Sequence, residues 1–180
     1  MKEELELRIL NVDTNKIINK LEELNAIKKG DWFYKRIIYD TKPVDENKWI
    51  RLRSNGEEVT LTYKNYSNSS VDGVQELEII VSDLDKTKEM LKILGYEPRS
   101  YQENKRTRYM VDDIEIDIDQ WPGLNPYVEV EAPTKEKVEY MINMLKEYGT
   151  EVTGKNAQTL YKDNGYSKED LNNLRFKGGR

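Results

Sequence analysis

The chain of 180 residues contains neither cysteine nor histidine. The first absence excludes disulfides, thiolate nucleophiles and cysteine-held zinc or iron–sulfur centres. The second removes Ser-His-Asp and Cys-His machinery, imidazole zinc sites and haem held through histidine. A metal in such a protein has to sit among oxygens, which favours Mg²⁺, Mn²⁺ or Ca²⁺. No stretch approaches the roughly 20 apolar residues of a membrane span. The N-terminus carries charge where a signal peptide would carry an apolar run. There is no linker rich in proline or serine. These absences lead to the expectation of a soluble protein of the cytoplasm.

Charge is abundant. Charged residues make up 35% of the chain, against about 25% in soluble proteins generally. The 29 basic and 34 acidic residues nearly cancel, for a net charge of −5. That balance does not fit indiscriminate binding to nucleic acid. The length suits one domain, read here as residues 1–180 with a core of about 1–150 and a helical segment over 151–180.

Period-2 alternation marks eight strands: ELELRI, WFYKRIIYD, KWIRLRS, EEVTLTYKN, VQELEIIV, NKRTRYMV, DIEIDIDQW and YVEVEAP. SNGE at 54–57 and VDD at 111–113 read as tight turns. Three helices interrupt the pattern. The first starts from Asp13 and is expected to stop at Gly30; the second runs from Ser82 or Asp83 to Gly95; the third runs from Pro133 and Thr134 to Gly149. The tail carries a short helical stretch, YSKEDLNNL, with a Ser-x-x-Asp start at Ser167 and Asp170. The tail stretch GKNAQTLYKDNGYS could lay a helix over a tunnel mouth, with Lys155 and Lys162 read as solvated. NYSNSSVDG at 65–73 is the one loop that looks flexible. Glu-x-Glu strands followed by helices ending in glycine recur, which suggests repeated β-α-β halves.

Each strand divides into an apolar and an ionic face. Leu5, Leu7 and Ile9 oppose Glu4, Glu6 and Arg8; Ile114, Ile116 and Ile118 oppose Glu115, Asp117 and Asp119. One arrangement is an open sheet with helices on the apolar face and charge facing water. Two details weigh against it. The ionic faces hold five arginines but one lysine and almost no Ser, Asn or Gln, and arginine is favoured where planar contact to carboxylate or phosphate matters. The signs also segregate by strand, as Glu-x-Glu, Arg-x-Arg or Asp-x-Asp. The alternative is α+β: a closed eight-stranded antiparallel barrel, ionic face inward, with helices packed outside. Eight strands leave an interior just wide enough for a small ligand. A polyanion with divalent cations would give those inward charges their complement.

Glu4-Leu5-Glu6-Leu7-Arg8 resembles the N-terminal E-x-E-x-K signature of the CYTH superfamily, the triphosphate tunnel metalloenzymes. That group includes class IV adenylyl cyclases, thiamine triphosphatases and inorganic tripolyphosphatases. YDT at 39–41, RLR at 51–53, LTYK at 61–64, ELE at 76–78, RTR at 106–108, IDIDQWPGL at 116–124 and VEVE at 128–131 follow in the family's order. The resemblance implies that Arg51, Arg53, Lys64, Arg106 and Arg108 grip a triphosphate. It implies catalytic roles for Glu4, Glu6 and Arg8. It also implies Mg²⁺ or Mn²⁺ held by Glu4, Glu6, Glu129 and Glu131, with Glu76, Glu78, Asp117 and Asp119 as further ligands. Arg8 stands where the signature has lysine; it keeps the charge but cannot give up its proton. Arg106 is a milder departure at a position where lysine is frequent. Arg36 is read as nearer surface than site. Tyr34, Trp32, Trp49, Trp121 and Tyr161 are read as packing, though each could stack on a base or a thiazolium ring.

The implied partner is a small triphosphate, with no membrane and no nucleic-acid polymer; homodimer formation is left open. The implied activity is hydrolysis of tripolyphosphate or an organic triphosphate. Cyclisation of ATP with release of pyrophosphate, and binding without turnover, remain as alternatives.

Overall fold

The structure, a computed structural model, describes residues 2–66 and 74–177, with side chains from residue 5 onward. The loop expected to be flexible lies, from residue 67 on, outside the described residues. Strands β1 (Lys2–Glu4) and β2 (Glu6–Leu10) open the chain, followed by helix α1 (Thr14–Glu23) and strands β3 (Ile27–Asp40), β4 (Lys48–Ser54), β5 (Val59–Tyr66) and β6 (Val74–Val81). Helix α2 (Leu84–Ile93) leads to β7 (Pro98–Val111), β8 (Ile114–Gln120) and β9 (Tyr127–Glu131). Helix α3 (Lys135–Leu145), β10 (Glu151–Thr153), helix α4 (Ala157–Asp163) and β11 (Asn173–Leu174) complete it. All the strands join one curled sheet in the order β1-β6-β5-β4-β3-β7-β8-β9-β2-β10, each neighbour antiparallel, with β11 added parallel to β7.

The expected closed barrel of eight strands is therefore corrected. The ladder is an open path, nine strands from β1 to β2. The reason lies in residues 2–10, which do not make one strand. Leu5 interrupts them; the segment before it pairs with β6 and the segment after it with β9. Only one residue separates these segments, so the sheet curls until its two margins are neighbours along the chain.

Two halves share the order strand, helix, three strands: β2-α1-β3-β4-β5 and β6-α2-β7-β8-β9. Their long strands β3 and β7, 14 residues each, pair at the centre. Each half lends its first strand to the last strand of the other, β6 to β5 and β2 to β9. The repetition visible in the sequence thus becomes an exchange of strands.

Local signals explain most boundaries. The side chains of Asp13, Asp83, Thr134 and Asn156 each accept the backbone N–H three residues on, capping the four helices. The first helix stops earlier than expected. Asn25, at φ 54°, turns the chain, and Gly30 lies inside β3 opposite Arg108. Gly95, at φ 83°, ends the second helix as expected, a conformation that costs a glycine little. YSKEDLNNL forms only a 3-10 turn over Asp170–Asn172, although Ser167 and Asp170 exchange the expected capping bonds.

The apolar face is turned outward and covered. Ile17 and Leu21 of α1 and Val138, Met141 and Leu145 of α3 pack with Ile9, Ile116, Val128 and Val130 of the sheet, all fully buried. Leu91 of α2 packs with Leu52 and Tyr39 on the other half. Burying such a side chain contributes about 1.5–3 kcal/mol. With helices on the apolar side, the ionic faces are left on the concave side. Among the described residues, no helix is long and apolar enough to cross a membrane.

Candidate functional site

Strand parity and sheet curl bring the ionic side chains together around a cavity of about 300 Å³. Eight basic and six acidic side chains line it. They form two walls of unequal balance.

The acidic wall belongs to β8, β9 and β2, with arginines from β7. Cross-strand register sets Arg108, Asp117, Glu129 and Arg8 in one row and Glu115, Glu131 and Glu6 in the next. Arg106 lies buried at the centre. It donates through Nε and Nη2 to the two oxygens of Asp119 at 2.8 and 2.6 Å, and reaches Asp117 at 2.5 Å and Glu129 at 3.0 Å. Arg108 holds Asp117 in the same two-pronged way, both bonds at 2.8 Å, and meets Glu115 at 2.6 Å. Arg8 bridges Glu6 at 2.8 Å and Glu129 at 2.5 Å, and donates from Nη1 to the carbonyl of Lys155 at 3.0 Å.

The electrostatics follow from this geometry. Burial alone would raise Glu129, but Arg8, Arg106 and Lys64 outweigh it and hold the carboxyl well below its usual range. Burial would likewise discharge Arg8; Glu129 and Glu6 outweigh it and keep the guanidinium charged. Glu115 goes the other way. Burial, then the nearby Asp117 and Glu131, push it up to about 8 despite Arg108. Register thus sets three glutamates side by side, with Glu115 inclined to keep its proton.

The basic wall belongs to β3, β4 and β5. Arg53 sits opposite Arg36 across the β3–β4 ladder, with Arg51 two residues away. Glu78 is the carboxylate that answers here, at 3.2 Å from Arg51 and 3.5 Å from Arg53, and it also accepts from the Thr62 hydroxyl at 2.5 Å. Lys64 meets Glu76 at 3.3 Å. Burial and the repulsion of Arg51 lower Arg53 to about 10. Four buried donors on residues lining this cavity find no acceptor among the described residues: Arg8 Nε, Arg36 Nη2, Arg51 Nε and Trp121 Nε1. An orphaned buried donor costs about 1–3 kcal/mol.

Of the expected site residues, Glu6, Arg8, Arg51, Arg53, Lys64, Glu76, Glu78, Arg106, Arg108, Glu129 and Glu131 line the cavity together. Asp117 and Asp119 lie behind them, almost fully buried against the arginines. The side chain of Glu4 lies outside the described residues. Among the described residues no three carboxylates converge as a metal cluster. Arg36 corrects its reading as a surface residue, since it is 7% exposed and lines the cavity. Glu115 and Arg99 also line it. The alternation of DIEIDIDQW already set Glu115 on the ionic face with Asp117, although it was not among the expected site residues. Arg36 was hidden because Ile37, Ile38 and Tyr39 after it are all buried, so alternation gives no face.

The tail covers one side. Leu160 and Tyr161 of α4 pack with Trp121, Tyr127, Leu171 and Leu174, and Asn156, Gln158 and Tyr161 line the cavity. Lys155 is engaged by Asp163 at 2.8 Å. Trp49 and Trp121 line the cavity, whereas Trp32 lies in a separate groove.

The CYTH domain family matches residues 2–160. The chain belongs to that family. A Methanocaldococcus jannaschii protein named as a candidate adenylate cyclase is 29% identical to this CYTH chain over 155 residues, covering 79% of this chain and 87% of the relative. A conserved hypothetical protein from Pyrococcus furiosus shares the fold at TM-score 0.73 and 20% identity, over 87% of this chain and 99% of the other. A candidate adenylyl cyclase from Hippeastrum, described as having a dominant triphosphatase activity, shares it at TM-score 0.61 and 17% identity, over 93% and 97%.

Proposed function

We propose that this CYTH protein is a metal-dependent hydrolase of a triphosphate, either inorganic tripolyphosphate or an organic ester such as thiamine triphosphate, and that the curled sheet serves as its tunnel. The observation that carries the reading is the set of orphaned buried donors around a cavity lined by more bases than acids. Such donors match an acceptor-rich anion, and a phosphate chain is one.

In this reading Arg51, Arg53, Lys64, Arg106 and Arg108 bind phosphate oxygens and neutralise charge developing at phosphorus. Asp117 and Asp119 act mainly as braces, fixing the planes of Arg106 and Arg108. The donor set is all oxygen, and register brings Glu6, Glu131 and Glu115 into one row, which fits Mg²⁺ or Mn²⁺. Glu6, Glu129 and Glu131, with Glu4 two residues before Glu6 and with Glu76 and Glu78 on β6, would hold it. The ion would supply Lewis-acid neutralisation of phosphate charge and a more acidic water. Arg8 is bound to Glu6, Glu129 and a carbonyl, and fits the role of fixing those carboxylates better than that of moving a proton. With no histidine in the chain, a carboxylate is the side chain that would receive the proton of an attacking water, unless the metal has already made that water acidic enough to lose it.

A cyclase reading shares the same apparatus. It is supported by the name of the Methanocaldococcus jannaschii relative and by the aromatic groups of Trp49, Trp121 and Tyr161 on the cavity wall, which could receive a base. Incubation with tripolyphosphate, thiamine triphosphate and ATP, each with Mg²⁺ or Mn²⁺, and chromatography of the products decides between them. Orthophosphate supports the hydrolase; cyclic AMP with pyrophosphate supports the cyclase. No turnover of any of the three would overturn both and leave a binding module.

A further inference from the structure

Arg36 is the cation of the cavity that the structure orients without neutralising. Its Nε donates to Asn104 Oδ1 at 2.7 Å, and Asn104 Nδ2 in turn donates to Asp119 Oδ1 at 3.1 Å. Asn104 is fully buried, so this relay sets the guanidinium's direction. The contact is to an amide rather than a carboxylate. Among the described residues Arg36 has no ion pair, and its buried Nη2 has no acceptor. One face of the guanidinium lies 4.7 Å from the centre of the Trp121 ring. Arg36 and Arg53, opposite one another on adjacent strands, both lie over the ring of Tyr34, at 5.5 and 5.0 Å. Like charges set opposite each other on neighbouring strands repel, and burial with Arg51, Arg106 and Arg53 lowers Arg36 to about 9. A buried guanidinium held in place yet left without a counter-ion is a poor structural device and a good receptor.

We propose that Arg36 and Arg53 form a two-guanidinium clamp on the Tyr34 ring that takes one phosphoryl group of a phosphate chain, with Asn104 as the residue that positions Arg36. The inference rests on the triphosphate reading of the cavity and adds Arg36 to its binding residues.

The test uses inorganic tripolyphosphate as probe, titrated calorimetrically into the full chain, with melting temperature recorded with and without it. Arg36→Gln is expected to weaken binding roughly ten- to hundredfold, Arg36→Lys to fall in between, and the ligand-free melting temperature of Arg36→Gln not to drop. A structural arginine would behave oppositely, lowering the ligand-free melting temperature while leaving affinity alone. Asn104→Asp hands Arg36 a carboxylate while giving up the hydrogen bond that Asn104 Nδ2 donates to Asp119. It is expected to weaken binding as well, and it carries the test should Arg36→Gln fail to fold. Wild-type affinity in Asn104→Asp, or in folded Arg36→Gln, while Arg53→Ala loses binding, overturns the clamp alone. Failure of the wild-type protein to bind tripolyphosphate overturns the reading of the cavity, and the clamp with it.

Discussion

Single side chains carry both the chemistry and its tension. Glu6 and Arg53 face the cavity from opposite walls, one tied to Arg8 and the other short of carboxylate. Glu6→Gln and Arg53→Ala are each expected to abolish triphosphate turnover while the protein stays folded, with Glu6→Gln also weakening metal dependence. Product release measured against added Mn²⁺ checks both, and unaltered activity in either would count heavily against the site. Glu115 makes a second prediction. The folded state holds its proton up to about 8, above the ordinary carboxylate range near 4.3. Its stabilising protonation is therefore fully present at low pH and is lost as pH rises toward about 8, because the folded state binds the proton more tightly than the unfolded chain. Melting temperature measured against pH in chelator should fall across that window, and Glu115→Gln should flatten the fall. At this scale much was readable in advance. Parity assigned Arg51, Arg53, Arg106 and Arg108 to the ionic side. Parity could not say that Asp119 ends up behind Arg106 rather than in the cavity, since that depends on which carboxylate the guanidinium reaches first.

Elements place those side chains. Helix α3 covers the outer face of β2, β8 and β9, and Met141 in its stripe is fully buried. Met141→Ala is expected to cost about 2–5 kcal/mol and to leave the cavity chemistry intact, as chemical denaturation alongside an activity assay would show. A loss of activity without loss of stability would mean that α3 does more than cover the sheet. Helix starts were legible because capping is local: Asp13, Asp83 and Thr134 each satisfy an N–H within their own first turn. Strand ends were less so. Gly30 was expected to stop α1, yet Asn25 does so and Gly30 is drawn into β3 by pairing with β7, a partner about 80 residues away whose pull no local pattern reports.

For the whole molecule, the cavity gathers unfavourable terms, with orphaned donors on both walls and carboxylates side by side on β8, β9 and β2. A ligand that binds only the folded state adds about 2.7 kcal/mol at a concentration 100 times its dissociation constant. For a chain of this size that corresponds to a rise in melting temperature of roughly 5–10 °C. Tripolyphosphate with Mg²⁺ should produce such a rise, and equimolar sulfate a much smaller one; equal shifts would argue for general anion screening. The alternation of apolar and ionic residues by itself determined that each strand has two incompatible faces and that helices would cover the apolar one, because side-chain direction in a strand has a period of two whatever the partner. The composition limited the chemical repertoire, by leaving out histidine and cysteine. Only the tertiary structure decided that residues 2–10 are shared between β6 and β9, that the ladder stays open, and that Arg36 turns inward without a counter-ion. These outcomes depend on which distant strands pair and how far the sheet curls, and that is settled by contacts between residues that no local spacing connects.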